Sequence, residues 1–133
     1  MRKIFIACPM SGLAPFQYKL LQERIQLLVD ESTDIEVFSE ILNINDASDF
    51  QSSKEATEID IKEIKRCDTF VLFHMTNVQS STLFEVGIAF ALEKDIQIYY
   101  RDEKDLPFML KELDLVSNVV TLTKISNPED VTL

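Results

Sequence analysis

Two carboxylates stand where a folded chain rarely places charge. In Ser81–Leu92, STLFEVGIAFAL, Glu85 is the one charged residue among small and apolar neighbours. In Lys54–Cys67, KEATEIDIKEIKRC, the helical i−4, i+4 and i+7 neighbours of Asp60 are Ala56, Ile64 and Cys67. Asp60 therefore lies on the apolar stripe, while Glu58, Lys62 and Lys65 can face water. Removing an ionised carboxylate from water costs several kcal/mol, roughly, unless something compensates it. For Glu85 two readings stand side by side. Thr82-Leu83-Phe84-Glu85 is T-x-x-E, a capping box in which the glutamate reaches back to the helix start. The same place suits a nucleophile, because a helix N-terminus favours the ionised carboxylate. Asp60 is either a helix-edge residue bonded to a loop or the partner of Glu85. Such a pair at one sheet edge is suited to attack at a sugar anomeric carbon.

Other residues offer binding rather than bond-breaking. Ser80, Ser81 and Thr82 supply hydroxyls and N–H groups at a helix start, either for an anion or for capping. The chain has two glycines, Gly12 in the loop Cys8-Pro9-Met10-Ser11-Gly12 and Gly87 two residues beyond Glu85. For Gly12 a plain turn and a ligand contact are both open; for Gly87, packing on a strand and ligand contact are. CPMSG matches neither a Walker loop nor G-x-G-x-x-G. Asp68 precedes a strand and is expected to satisfy turn N–H groups. His74, at the end of the third strand, is read as structural ahead of an acid or base, and Tyr18 as helix surface or core, with lining of the site as its alternative.

These side chains need elements to hold them. Lys3–Ala7, Ile35–Phe38, Thr69–Phe73, Ile96–Tyr100 and Val119–Leu122 read as strands, with Thr69–Phe73 apolar throughout and buried on both faces. Gln17–Val29 has Leu20, Leu21, Ile25 and Leu28 at helical spacing. Lys54–Cys67 is a helix with Ser53 as N-cap, Thr82–Leu92 another, and a short one falls around Phe108–Leu113. Ala47–Ser53 reads as a polar loop. Strands alternate with helices from end to end, so residues 1–133 are expected to form a single doubly wound α/β domain of Rossmann or flavodoxin type. Its mostly parallel five-stranded sheet carries helices on both faces. Ligands of such sheets bind beyond the carboxyl ends of the strands, where the strand order switches. The loops Cys8–Leu13 and His74–Ser81 are the places to look.

Composition narrows the partners. With 13 basic against 23 acidic residues the net charge is −10, which argues against a nucleic-acid polymer or an acidic membrane surface. Cys8 and Cys67 lack metal-ligand spacing and His74 is the one histidine, so no metal is expected. Both cysteines sit in apolar runs and read as buried reduced thiols. MRKIFIAC imitates a lipoprotein signal, but its apolar part, Ile4–Ala7, falls short of the ~7–15 residues such a core needs. It reads as the first strand, and the expected location is cytoplasmic.

The first strand with its small-residue loop and Pro9, the helix with Asp60 followed by Asp68 and an apolar strand, and SSTLFEVGIAFALEK together resemble the nucleoside 2-deoxyribosyltransferase superfamily. EATEIDIKEIKRCDTFVLF and YYRDEKDLPFML look most like its nucleoside 5′-monophosphate N-glycosidases, of the cytidylate hydrolase type. The resemblance implies that Glu85 attacks C1′ and forms a glycosyl-enzyme, and that Asp60 positions the sugar or handles the proton of the departing base. It places Ser80, Ser81 and the loop Cys8–Gly12 near the 5′ end of a nucleoside or nucleotide. Water or a second base then accepts the sugar. It also implies no cofactor, and a homodimer or higher homo-oligomer with shared sites. Two alternatives are a TIR-like NAD glycohydrolase and a nucleotide-binding sensor without turnover. A phosphorelay receiver is set aside, because IFIACPM lacks the acidic residues expected after its first strand.

Overall fold

The computed structural model describes residues 1–43, 52–77 and 81–133. Ser80 and residues 47–51 of the expected polar loop lie outside them. Five strands, β1 (Arg2–Ala7), β2 (Ile35–Ser39), β3 (Thr69–His74), β4 (Asp95–Tyr100) and β5 (Val120–Lys124), form one sheet in the order β2-β1-β3-β4-β5. All four pairings are parallel. The helices are α1 (Pro15–Asp30), α2 (Glu40–Asn43), α3 (Ser53–Arg66), α4 (Thr82–Ala91) and α5 (Leu113–Val116).

Alternation along β1 divides the core between the two faces of the sheet. Ile4 and Ile6 meet Val71 and Phe73 of β3 and Leu21, Ile25 and Leu28 of α1 on one side. Phe5 and Ala7 meet Phe70 and Leu72, with Ile64 of α3 and Val86 and Ala89 of α4, on the other. Phe5 stacks on Phe70 at 5.3 Å and 9°. β3 is buried along its whole length, as its unbroken apolar run requires.

Local chemistry moved several expected boundaries. α1 starts two residues early because Pro15, with its fixed φ and missing N–H, suits a first helical position. The N-cap of α3 is Ser52, not Ser53: its Oγ accepts from the Glu55 N–H at 3.1 Å. Ser53 is helical, so the expected loop ends earlier. The segment read as one helix around Phe108–Leu113 is a 3-10 turn, Phe108–Leu110, followed by α5. The short helix α2 was not anticipated.

The amino ends of β1 and β3 are clamped by Asp68, whose Oδ2 accepts from the Lys3 N–H at 2.8 Å while its own N–H donates to the Lys3 carbonyl at 2.7 Å. Asp68 thus serves a strand edge rather than a turn. No helix among the described residues is long and apolar enough to cross a membrane.

Candidate active site

In this strand order the switch lies between β1 and β3, and the carboxyl ends of β1 and β2 border the crevice beside it. Ile6 pairs with Ser39 in register, so the residue after Ser39, Glu40, comes level with the end of β1 and the loop that follows. The Gln22 side chain of α1 donates to the Ile41 carbonyl at 2.8 Å and fixes α2 there. Asp60 is brought to the same edge by α3, whose Ile64 is fully buried one turn further along. Arg66 ties the far end of α3 to Glu36 of β2 at 3.2 Å. Lys94 closes that end by donating to the carbonyls of Lys65 and Cys67 at 2.9 and 2.8 Å. Glu85 arrives one turn into α4.

Three carboxyl groups thereby converge. One oxygen from each of Glu40, Asp60 and Glu85 lies within 4.8 Å of the others. Glu85 is 3% exposed and Asp60 8%, and Glu40 is half-buried. The closeness is felt in their titration: hydrogen bonding at Asp60 acts on both glutamates, and the Glu40 charge acts on Glu85. Oδ1 of Asp60 is buried without a partner.

Burial dominates the titration of all three groups, since it penalises the charged form. It pushes Glu85 up to about 8, with the Glu40 charge adding to the effect and the Asp60 hydrogen bond opposing it. Glu40 is likewise raised to about 8 by burial, then by its hydrogen bond to Asp60 and the charge there. Asp60 rises to about 6 through burial, partly offset by the bond from Glu40. Oxygen ligands in this number could in principle receive a divalent cation. Burial raises all three groups, which favours protons within the cluster near neutral pH.

A small cavity opens above the cluster, with about 50 Å³ of room for water. Glu40 and Glu85 line it, together with Cys8, Met10, Ser11 and Ser81. Asp60, in the same cluster, does not line it. Of the residues expected at this site, Pro9 is buried and does not line the cavity; Gly12 does not line it either. Gly12 has φ 81° beside a bond from the Leu13 N–H to the Met10 carbonyl at 3.3 Å. That left-handed turn position explains the glycine without a ligand. The Cys8 thiol is raised far above its usual value by burial, then by Glu85 and Glu40, and stays neutral.

The expected capping box of Glu85 does not form. Ser81 holds the N-cap position of α4 without a side-chain cap bond and the helix begins at Thr82, which puts Glu85 at the fourth helical position, within the cluster. Gly87 faces open space, since a Cβ there would meet nothing within 4 Å, so packing on a strand does not account for it. His74 is buried and its Nε2 lies 2.8 Å from the Asp105 carbonyl, with burial holding the ring neutral. Tyr18 packs on the α1 side of the core. Cys8 and Cys67 are both free and buried. Glu40 is the residue that sequence reasoning missed. The available signal was an acidic residue directly after an apolar strand, at the edge where ligands bind.

A parallel sheet in this order, with a cavity and a carboxyl cluster beside its switch point, defines a doubly wound α/β protein. The model of the nucleoside 2-deoxyribosyltransferase family matches residues 4–120, and the chain belongs to that family. Among solved structures it is similar to the CMP N-glycosidase BcmB of Clostridium botulinum, with 23% identity and a TM-score of 0.68 over 96% of this chain and 92% of that one. It is also similar to a conserved protein from Enterococcus faecalis V583, with 18% identity and a TM-score of 0.65 over 98% and 94% of the two chains. At these identities the likeness is one of fold. No curated protein sequence matches.

Proposed function

We propose that the protein breaks the N-glycosidic bond of a nucleoside or nucleoside 5′-monophosphate, with Glu85 as the nucleophile at C1′. The observation that carries this reading is the convergence of buried carboxyls, within 4.8 Å of one another, over a cavity beside the switch point. Carboxyls this near one another fit the retaining arrangement, whose pair stands ~5–5.5 Å apart, better than the inverting one at ~6.5–9.5 Å. Membership of the family supports the same bond, and the CMP N-glycosidase has the same fold. Asp60 stands beside Glu85, and its hydrogen bonding opposes part of the rise that burial imposes on the nucleophile. Cys8, Met10, Ser11 and Ser81, which line the cavity, then surround the sugar. Water or a second base takes the sugar from Glu85.

The described lining has no lysine or arginine. A dianionic phosphate is normally met by charge-assisted donors, so this favours the nucleoside over its monophosphate. We propose in addition that two copies associate through the outer face of α4. There Leu83, Phe84 and Leu92 are 38%, 57% and 41% exposed, and Gly87 leaves room for close approach on a face free of the charge carried elsewhere.

Chromatography of a panel of ribo- and deoxyribonucleosides, their 5′-monophosphates and NAD, with and without an acceptor base, tests the reading. Free base is expected from a nucleoside or its monophosphate, and Glu85→Gln should abolish its release. Undiminished release by that variant overturns the mechanism. Cleavage of NAD alone would point to a glycohydrolase of a different kind, and tight calorimetric binding without release to a sensor.

A further inference from the structure

We infer that the protein has a second small-molecule site, on the α1 face of the sheet, for a flat aromatic ring joined through a polar linker to a phosphate. A nucleoside 5′-monophosphate has that chemistry. The inference is independent of the glycosidase reading and uses none of its residues. A cleft of about 580 Å³ lies between α1 and the chain beyond the carboxyl ends of β3, β4 and β5. It shares no lining residue with the cavity over the carboxyl cluster, which has about 50 Å³. Small-molecule sites occupy roughly 300–1,000 Å³, with apolar walls and a few placed polar groups.

The apolar wall comes mainly from α1. Phe16, Leu20 and Arg24 follow one another at helical spacing and line the cleft together. Phe16 is 71% exposed and Leu20 47%, while Leu21 and Met75, which also line it, are buried. An exposed phenyl ring beside aliphatic side chains offers a stacking surface to a flat ring.

The anion end is set by Arg101, directly after β4. Its Nε donates to the Ser126 carbonyl at 3.3 Å and its Nη1 to the Met75 carbonyl at 3.4 Å, which fixes the guanidinium across the ends of β5 and β3. Among the described residues no carboxylate lies within ion-pair distance of it, although the chain carries 23 acidic residues. A fixed guanidinium with Nη2 unbonded among those residues presents donors in the geometry that phosphate accepts. Arg24 adds a second cation. Its pair with Glu129 is 3.8 Å long between partly exposed side chains, a contact weak enough to yield to a dianion. Asp105 is the acidic residue of the described lining, and it can accept from an exocyclic amino group of a base. Asn77 and Asn127 carry amides that donate and accept, as the hydroxyls of a sugar require. Two arginines against one aspartate make this wall cationic on a chain of net charge −10.

The chain has no tryptophan, so Phe16→Trp makes a single emitter inside the cleft. Its fluorescence is titrated with AMP, GMP, CMP and UMP and with the matching nucleosides, and inorganic phosphate is run as a competitor. At least one monophosphate should quench it saturably and bind roughly 10–100-fold more tightly than its nucleoside or phosphate. Arg101→Gln in the same background should weaken that binding roughly 10–100-fold. Ser11→Phe, which fills the cavity over the carboxyl cluster, should leave it unchanged. Calorimetry on the unaltered protein should give the same affinity within a few-fold; no binding there overturns the assignment. So does the absence of saturable quenching, or phosphate competing as well as the nucleotide binds. Binding that Ser11→Phe removes and Arg101→Gln does not would also overturn it, and would leave the glycosidase reading standing. Conversely, a failed base-release experiment with Arg101-dependent quenching intact sinks that reading and not this one. Thermal unfolding checks that each variant is folded. Should Arg101→Gln not fold, Arg24→Gln is expected to weaken the nucleotide by about 10-fold, and an unchanged affinity there overturns the site.

Discussion

Replacing Glu85 by glutamine should make the protein more stable, and only where the carboxyl would otherwise ionise. The Glu85 proton is held to about 8 in the folded chain against an ordinary value of 4.5. Between those values the folded state binds more protons than the unfolded one, so stability falls as pH rises. The full contribution of the neutral carboxyl is present below the ordinary value and is lost as pH passes through the folded one. Each tenfold in proton affinity is worth about 1.4 kcal/mol. The whole interval corresponds to roughly 4–5 kcal/mol, an upper figure because Glu40 and Asp60 share the same protons. For the single substitution we expect a gain of about 2–4 kcal/mol near pH 9 and close to zero near pH 4. For a chain of 133 residues this is a rise of roughly 10 °C in Tm at the alkaline end. Urea or thermal unfolding of both proteins at several pH values measures it. A gain that does not grow with pH, or a loss at pH 9, would refute the claim that a shared buried charge, and not lost packing, governs this position. An enzyme that keeps such a glutamate gives up stability for activity.

Three further outcomes follow from particular contacts. Ser52→Ala removes the cap of α3 and should cost about 1 kcal/mol, read in chemical denaturation. Gly87→Ala places a methyl in open space in a helix, so the isolated chain should gain roughly 0.5–1 kcal/mol. If α4 joins two copies, light scattering should show the same change weakening the association. Cys8, buried and held neutral, should resist iodoacetamide at pH 8 in the folded protein and react at once in urea, as followed by mass spectrometry.

The sequence by itself settled the α/β class. β-rich apolar runs alternate with helical periods, and a run as unbroken as that of β3 has no stable place except between two layers. It also marked Asp60 and Glu85, because a charge on an apolar stripe conflicts with its local pattern and demands an explanation. Local rules misled where two neighbouring residues could each do the same job. Ser52 and Ser53 can both cap α3, and T-x-x-E at Thr82 reads as a cap, although one residue of shift in the helix start turns Glu85 inward instead.

What only the tertiary structure decided is which distant groups share a cavity. Glu40 lies 20 residues before Asp60 and 45 before Glu85 in the numbering, on a short helix with no periodic signal of its own. It enters the site because β2 pairs beside β1 with Ser39 level with Ile6, a register set by packing across the whole sheet. The same convergence shifts the titration of all three carboxyls, since burial and mutual repulsion act through space. Sequence spacing records neighbours along the chain, whereas the chemistry of a carboxyl depends on neighbours across the fold.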